Sequence, residues 1–266
     1  MILWRCGDSA DRMTSLNDFE GRTALVTGAA SGIGAACARL LNQRGASKLF
    51  LVDVDEAGMR ALDLACEVEF VTGSVADEAL WSKLEPELSE LDHAVVNAGI
   101  AANGPIAKIS FADWRRVLDV NLDGAFLTLS TAMRAMLSAG RAGSIVITSS
   151  TTGLKAVPGI GPYGVSKAAV SHMARIAALE GAPAGISVNA IAPGGVDTAI
   201  WDSSEAFREA EARIGREAAI KGMATSTPSG RFATSEEMAG TILYLLSDAA
   251  ANVTGHVMVS DGGFTL

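Results

Sequence analysis

The sequence has too few cysteines and histidines to suggest a disulfide framework or a metal site. It contains three of each among 266 residues. The cysteines form no C-x-x-C pair, and no histidine lies at ligand spacing from a cysteine. Disulfide-stabilised domains and zinc sites need denser, regularly spaced sets of these residues. We therefore predict neither a disulfide framework nor a bound metal.

Basic residues and long hydrophobic runs are also scarce. Lysine and arginine number 21 against 30 acidic residues, which gives a formal net charge of -9. This balance argues against binding to nucleic acid or to an anionic membrane surface. No charge-free run exceeds 16 residues, and the run over 181–196 contains two prolines and an asparagine. Such a run is too short and too broken to span a bilayer.

The N-terminal segment lacks both a signal pattern and a helical pattern. Arg5 and Asp8 stand where a secretory signal has an apolar run, so we expect a cytoplasmic protein. Residues 1–18 are predicted to be a disordered leader. The remaining chain, 19–266, has no linker and no internal repeat, which predicts one domain.

Short apolar runs alternate with amphipathic segments from residue 23 onward. Strands are predicted at 23–27, 48–52, 68–72, 93–97, 144–149, 186–191 and 256–260. Helices are predicted at 33–44, 56–66, from 77 onward, at 111–139 and at 163–179. Strands that are apolar throughout and separated by helices are typical of a parallel sheet covered on both faces. We therefore expect an α/β fold with a doubly wound parallel sheet of about seven strands and helices on both faces.

A glycine-rich turn, T-G-A-A-S-G-I-G, connects the first strand to the first helix at 27–34. Gly28 would allow the tight turn, Gly32 would let the backbone approach a pyrophosphate, and Gly34 would permit close helix–strand packing. Asp53 ends the second strand, where a carboxylate accepts the adenosine ribose hydroxyls and repels a 2′-phosphate, which favours NAD. The alternatives are a turn without a ligand and a solvated carboxylate at the end of a strand.

Chemistry-bearing residues cluster at the ends of the later strands. Tyr163 and Lys167 are four residues apart, so they share one helical face, and Ser150 follows the fifth strand. An ammonium near a phenol favours the phenolate, which can exchange a proton with a substrate hydroxyl. The Y-x-x-x-K pattern alone is more typical of an ordinary amphipathic helix. The argument depends on its combination with the serine and with the glycine turn.

The ordered motifs resemble those of the "classical" short-chain dehydrogenase/reductases from about Phe19 to the C-terminus. They are T-G-x-x-x-G-I-G at 27–34, N-A-G at 97–99, Asn121, Ser150, Y-x-x-x-K at 163–167, P-G at 193–194 and D-G-G at 261–263. The resemblance implies a Rossmann-like fold, NAD(P)(H)-dependent interconversion of an alcohol and a carbonyl compound, and a homotetramer.

The resemblance also implies roles for individual residues. Tyr163 would be the general acid/base, and Lys167 would lower its pKa and hold the nicotinamide ribose. Ser150 would hydrogen-bond the substrate oxygen, and Asn121 would hold a water that links Lys167 to solvent. The residues expected to bind the cofactor are Gly28, Ser31, Gly32, Ile33, Gly34, Asp53, Ser74, Val75, Asn97, Ala98, Gly99, Tyr163, Lys167, Pro193, Gly194, Val196 and Thr198.

Two positions depart from the family's usual pattern. Val96 stands where the family usually has the first asparagine of N-N-A-G, so one structural hydrogen bond of the fourth strand is expected to be missing. Ser74 replaces the acid that commonly meets the adenine amine, which would weaken that contact or leave it to the backbone at Val75.

Residues 199–229 are predicted to form a substrate lid, because large apolar side chains recur there among many charges. These side chains could equally pack the lid onto the domain. No cluster of basic residues indicates a phosphate or carboxylate handle, so we expect an uncharged alicyclic or aromatic alcohol or ketone as substrate. Two other functions stay open: a 3-oxoacyl-thioester (acyl-carrier-protein) reductase, which has the same motifs, and a non-catalytic nucleotide-binding protein.

Overall fold

Seven strands form one parallel sheet in residues 18–266, the part of the chain that this computed structural model describes. They are β1 (Thr23–Thr27), β2 (Lys48–Asp53), β3 (Glu67–Thr72), β4 (His93–Val96), β5 (Gly143–Thr148), β6 (Ile186–Pro193) and β7 (Val257–Ser260). Their order across the sheet is β3-β2-β1-β4-β5-β6-β7, all parallel. Strands β1 to β3 follow one another toward one side of the sheet, and β4 to β7 follow one another toward the other side. Ligands bind at the switch point between β1 and β4 in folds of this type. The predicted fold class is confirmed, whereas the predicted leader lies outside the described residues except for its last one.

The described part of the chain has nine α-helices, and helices lie on both faces of the sheet. They are α1 (Gly32–Gln43), α2 (Glu56–Arg60), α3 (Glu78–Leu84), α4 (Phe111–Leu118), α5 (Gly124–Ser138), α6 (Gly161–Gly181), α7 (Glu205–Ile214), α8 (Arg216–Met223) and α9 (Ser235–Leu246). One apolar core packs against each face, around Trp81 and Met136 on one side and Leu41 and Ile242 on the other. All five residues of β1 are buried, as expected for a central parallel strand.

Two predicted helices differ from the structure. The helix predicted at 56–66 ends at Arg60, because the backbone N–H groups of Ala65 and Cys66 donate to the side-chain oxygen of Asn42. The long helix predicted at 111–139 is two α-helices joined by a π-helical segment, Asp119–Asp123, which contains Asn121. Such π-helical insertions are often found at functional sites.

The amino-terminal edge of the sheet is closed by paired polar groups. The buried Asp92 accepts hydrogen bonds from the Thr23 N–H at 2.9 Å and from the guanidinium groups of Arg141 at 2.7 Å and Arg22 at 3.3 Å. Burial raises the pKa of Asp92, but these partners outweigh it and leave the pKa below its ordinary value. The negative charge of the buried Asp92 is therefore compensated by these three donors.

Over residues 18–266, no helix is both long and apolar enough to cross a membrane. The same residues contain no group of three or more histidine, cysteine or acidic side chains arranged to hold a metal ion. Cys37 and Cys66 are both free thiols.

Candidate active site

The glycine turn between β1 and α1 has the backbone that a phosphate site requires. Gly28 and Gly32 have φ angles of +66° and +53°, a region that favours glycine. A Cβ at Gly34 would lie 2.0 Å from the Gly28 carbonyl oxygen, so the close packing of helix and turn demands glycine there. Ser31 precedes α1 without capping it, and the first helical turn has no acidic side chain. The positive end of α1 is therefore free to meet an anion.

Asp53, at the end of β2, has a carboxylate that two backbone amides orient. One oxygen accepts from the Ala30 N–H and the other from the Asp55 N–H, each at 3.0 Å. Ala30 belongs to the glycine turn, so the carboxylate is fixed beside it. Because each carboxylate oxygen can accept more than one hydrogen bond, both retain capacity for a ligand hydroxyl.

Asn97 ties together the three strands at the centre of the sheet. Its side-chain amide donates to the Thr27 carbonyl at 3.1 Å, and its side-chain oxygen accepts from the Thr148 hydroxyl at 3.1 Å. Its backbone N–H donates to the Thr27 hydroxyl at 2.9 Å. These bonds fix the ends of β1, β4 and β5 relative to one another, and the candidate catalytic groups lie beside them.

Lys167 is buried, and within residues 18–266 no carboxylate pairs with it. Its side chain points from α6 to the end of β5, where Nζ donates to the Thr148 carbonyl at 2.7 Å. A carbonyl oxygen compensates an ammonium only in part, and burial lowers the pKa of Lys167 to about 8. The group is thus still mostly charged at neutral pH but close to its titration point.

Tyr163 lies one helical turn before Lys167, in the wall of the same cleft. The lysine Nζ is 5.6 Å from the centroid of the tyrosine ring. Burial raises the pKa of Tyr163 to about 12, and a hydrogen bond with Ser150 lowers it by a smaller amount. The net shift is upward because the desolvation of a phenolate is the larger of these two effects.

Asn121 is held by hydrogen bonds to the loop after β4 and to α6. The Asn121 Oδ1 accepts from the Ile100 N–H at 2.8 Å, and Nδ2 donates to the Ile100 carbonyl at 2.9 Å. Nδ2 also donates to the Ser166 hydroxyl at 3.2 Å. A Cβ at Gly99 would lie 3.4 Å from both Asn121 Oδ1 and Lys167 Nζ, so Asn121 is close to the lysine.

A cleft of about 830 Å³ joins the glycine turn to the tyrosine and the lysine. Of the residues expected at the site, Gly34 and Asn121 do not line it, and all the others do. Gly34 acts through packing, and Asn121 stands behind Gly99 and Ile100. The predicted residues that line the cleft are Gly28, Ser31, Gly32, Ile33, Asp53, Ser74, Val75, Asn97, Ala98, Gly99, Ser150, Tyr163, Lys167, Pro193, Gly194, Val196 and Thr198.

The far wall of the cleft is aromatic and comes from segments far apart in the chain. Trp201, in the predicted lid, stacks on Phe232 with ring centroids 5.4 Å apart. Phe264 also lines the cleft, and Lys155 holds it by donating to its carbonyl at 2.8 Å. Sequence reasoning missed Phe232 and Phe264. The only signal for Phe264 was its place directly after the D-G-G motif.

The predicted lid contains α7 and α8. Some of its large apolar side chains line the cleft, and others pack onto the domain. Met223 and Trp201 line the cleft, whereas Phe207 is buried and Ile214 is half exposed. Arg216, at the start of α8, anchors the lid by donating to the Asp197 carboxylate and to the Thr198 carbonyl, both at 2.9 Å. The lid therefore packs onto the domain and also contributes to the site.

Comparison with known proteins places this geometry in a family. A family model described as "Enoyl-(Acyl carrier protein) reductase" matches residues 28–265. The crystal structure of a short-chain type dehydrogenase/reductase from Mycobacterium marinum superimposes with a TM-score of 0.82 at 30% identity, covering 94% of this chain and 98% of that one. The chain belongs to the short-chain dehydrogenase/reductase family. Members of the family use a nicotinamide cofactor.

Two curated relatives in the family are dehydrogenases. The cis-4-hydroxycyclohexanecarboxylate dehydrogenase of Sinomonas cyclohexanicum is 41% identical over 93% of this chain and 98% of its own length. The NADP-dependent (R)-specific alcohol dehydrogenase of Lentilactobacillus kefiri is 32% identical over 93% of this chain and 98% of its own length. Both names describe oxidoreductases that act on alcohols.

Proposed function

We propose that the protein is an NAD-dependent oxidoreductase that interconverts a hydrophobic secondary alcohol and its ketone. The observation that carries the proposal is the convergence of Ser150, Tyr163 and Lys167 on the cleft that also contains the glycine turn. A phenol, a hydroxyl and an ammonium can together exchange a proton with a substrate oxygen and stabilise charge on it.

The residues present fit a dinucleotide along the cleft. The uncapped start of α1 suits a pyrophosphate, and the oriented Asp53 carboxylate suits ribose hydroxyls. The same carboxylate would repel a 2′-phosphate, which favours NAD over NADP. The rest of the cofactor would be held by Ser74 and Val75 near the adenine and by Thr198 near the nicotinamide. When bound, the nicotinamide supplies hydride exchange.

Tyr163 would exchange the proton with the substrate oxygen. Because its pKa is about 12, the phenol is protonated at neutral pH and can donate to a ketone oxygen. Alcohol oxidation needs the phenolate. At pH values below the pKa the phenolate is a small fraction, and this fraction grows tenfold with each unit by which the pH rises. The Lys167 ammonium would favour that phenolate by charge and would also hold the nicotinamide ribose.

Ser150 and Asn121 would support this proton transfer. Ser150 would donate to the substrate oxygen and stabilise the charge that develops on it. Asn121 Oδ1 accepts one hydrogen bond, from Ile100, and has a second lone pair beside Gly99 and Lys167. That lone pair could hold the water that completes a relay from Lys167 to solvent.

The aromatic wall of Trp201, Phe232 and Phe264 supports a ring-shaped, largely apolar substrate. A flat substrate ring in contact with stacked aromatic side chains buries much apolar area and needs few hydrogen bonds. The dehydrogenase from Sinomonas cyclohexanicum, named for a hydroxycyclohexanecarboxylate, supports the ring shape of the substrate, and the substrate in that name also carries a carboxylate.

The proposal is tested by following NADH at 340 nm with cyclic, aromatic and linear secondary alcohols and their ketones. We expect turnover with NAD and the highest kcat/KM for cyclic or aromatic alcohols. Turnover of 3-oxoacyl thioesters alone would favour the reductase alternative. Nucleotide binding without turnover of any of these substrates would favour a non-catalytic protein.

Exposed apolar side chains on three helices support assembly into a homotetramer. Phe111 on α4 is 77% exposed and Leu179 on α6 is 80% exposed, and Phe126 on α5 is half exposed. Such side chains are commonly covered by symmetric partners. Light scattering should give four times the chain mass of 27.3 kDa, and a monomer would contradict the assembly. A cytoplasmic location stays a prediction from the sequence.

A further inference from the structure

Ser150 accepts two hydrogen bonds from one residue, Thr152. The Thr152 backbone nitrogen lies 3.2 Å from Ser150 Oγ, and the Thr152 hydroxyl lies 3.0 Å from the same atom. A serine hydroxyl has two lone pairs and a single proton. With both lone pairs taken by Thr152, Ser150 can interact with a further group only by donating its proton. In this structure that proton is directed to the Tyr163 hydroxyl, so a substrate oxygen between the two groups would receive it instead.

We propose that Thr152 is a positioning residue that fixes Ser150 as a hydrogen-bond donor toward the substrate oxygen. This inference rests on the proposed function. In ketone reduction, Ser150 and Tyr163 then donate to the same oxygen, which gains negative charge as it becomes an alkoxide. Without the Thr152 hydroxyl, the Ser150 proton could rotate away and the oxygen would lose one of its two donors.

The backbone holds Thr152 firmly in this place. Ser150 is extended (φ -166°, ψ 154°), and the 3-10 turn Thr151–Gly153 follows it directly. A Cβ at Gly153 would lie 2.7 Å from the Lys167 carbonyl carbon, so the turn is pressed against the backbone of α6. Thr152 is thus fixed relative to both Ser150 and the helix that carries Tyr163 and Lys167.

The Thr152 hydroxyl is not needed for the turn itself. A side-chain cap on a helical turn needs one backbone N–H donor, and the Thr152 N–H already provides it. Replacing threonine with valine keeps that N–H and the shape of the side chain but removes the hydroxyl. Valine at residue 152 therefore separates the positioning role from the structural one.

The experiment measures kcat, KM and the NADH dissociation constant for Thr152→Val and for its matched control, Thr152→Ser. We expect Thr152→Val to lower kcat about tenfold, the effect of one lost hydrogen bond to an activated donor, with KM and NADH binding within about twofold. Thr152→Ser keeps the hydroxyl and should stay within about twofold of the parent enzyme in kcat. Thr152→Ala is the second variant if the valine variant does not fold.

A double variant distinguishes positioning from a general disturbance of the site. In a Ser150→Ala background, Thr152→Val should have no further effect, because the group that it positions is gone. An unchanged kcat in both hydroxyl-lacking variants, or a full additional loss in the Ser150→Ala background, would overturn this inference alone. A Ser150→Ala variant with the kcat of the parent enzyme would instead overturn the proposed function, and this inference with it.

Discussion

The two edges of the parallel sheet bury ionisable groups in opposite ways. At the amino-terminal edge, Asp92 has two guanidinium partners and a backbone donor, and its pKa lies below the ordinary value. At the carboxyl-terminal edge, Lys167 has one carbonyl partner, and burial lowers its pKa to about 8. The first arrangement stabilises the charged form of its group, whereas the second destabilises it.

This difference separates groups that hold the fold from groups that can react. A fully paired carboxylate is inert near neutral pH, because removing its charge breaks several bonds at once. A buried ammonium without a counter-ion costs folding free energy and titrates close to the pH at which an enzyme works. The contrast predicts that substitutions at the two edges move stability and activity in different directions.

The largest effect is expected at Tyr163. Tyr163→Phe removes the phenolic proton without changing the packing of the ring, so kcat should fall about a thousandfold. NADH should bind as before, as measured by its fluorescence on titration. A variant with near-normal kcat would remove Tyr163 from the proton transfer.

At the opposite edge, Asp92→Asn should damage stability and spare activity. The substitution removes a charge shared by one backbone donor and two guanidinium groups that water partly screens, and we expect the free energy of unfolding to fall by about 2 kcal/mol. Urea unfolding measures the loss, and kcat of the folded fraction should be unchanged. A large fall in kcat with normal stability would mean that the two edges are not functionally separate.

Lys167→Met should do the reverse, stabilising the fold while abolishing efficient turnover. Lowering a lysine pKa from 10.5 to about 8 corresponds to a cost of about 3 kcal/mol at neutral pH. The methionine variant avoids this cost but loses the hydrogen bond to the Thr148 carbonyl, which is worth about 1 kcal/mol. The net stabilisation expected is therefore about 2 kcal/mol. Urea unfolding at pH 7 measures this change.

The pH dependence of stability provides the control for the lysine variant. Between about pH 8 and 10.5, the unfolded chain keeps a proton on Lys167 that the folded chain has released. The contribution of Lys167 therefore makes the free energy of unfolding rise with pH across that window. The rise should be absent in Lys167→Met, and an identical rise in both proteins would contradict the low pKa.

The smallest effect concerns cofactor choice. Asp53→Ala removes the charge that repels a 2′-phosphate, so the ratio of kcat/KM for NAD to that for NADP should fall about tenfold. Asp55→Asn is the matched control, because Asp55 caps α2 and does not line the cleft. A parent enzyme that prefers NADP would show that Asp53 does not face the ribose.

Patterns in neighbouring residues were enough to predict strands and turns whose conformation those residues determine. The continuous apolar run of β1 gave its bounds directly, as did the glycine turn that follows it. The helix predicted at 56–66 was too long because Asn42, more than twenty residues earlier, takes the amides of Ala65 and Cys66. The π-helical segment contains Asn121, whose side chain is bonded to Ile100, a residue distant in sequence.

In the candidate site, too, the features set by local sequence were predicted, and those that depend on distant residues were not. Motif spacing indicated Ser150, Tyr163 and Lys167, and the fold brings them to one cleft. Burial raises the pKa of Tyr163, and the four-residue spacing could not indicate this because burial depends on the packed structure. The lowering of that pKa by Lys167 stays a prediction. Phe232 and Phe264 escaped prediction because the wall that they form with Trp201 exists only after distant segments have packed together.

The pH dependence of kcat/KM for alcohol oxidation tests most directly whether Tyr163 transfers the proton. Because the phenol has a pKa of about 12, the logarithm of kcat/KM should rise with a slope near one between about pH 6 and pH 8. Ketone reduction, which uses the protonated phenol, should show no such rise. A flat oxidation profile over the same range, with hydride transfer shown to limit the rate, would contradict the account.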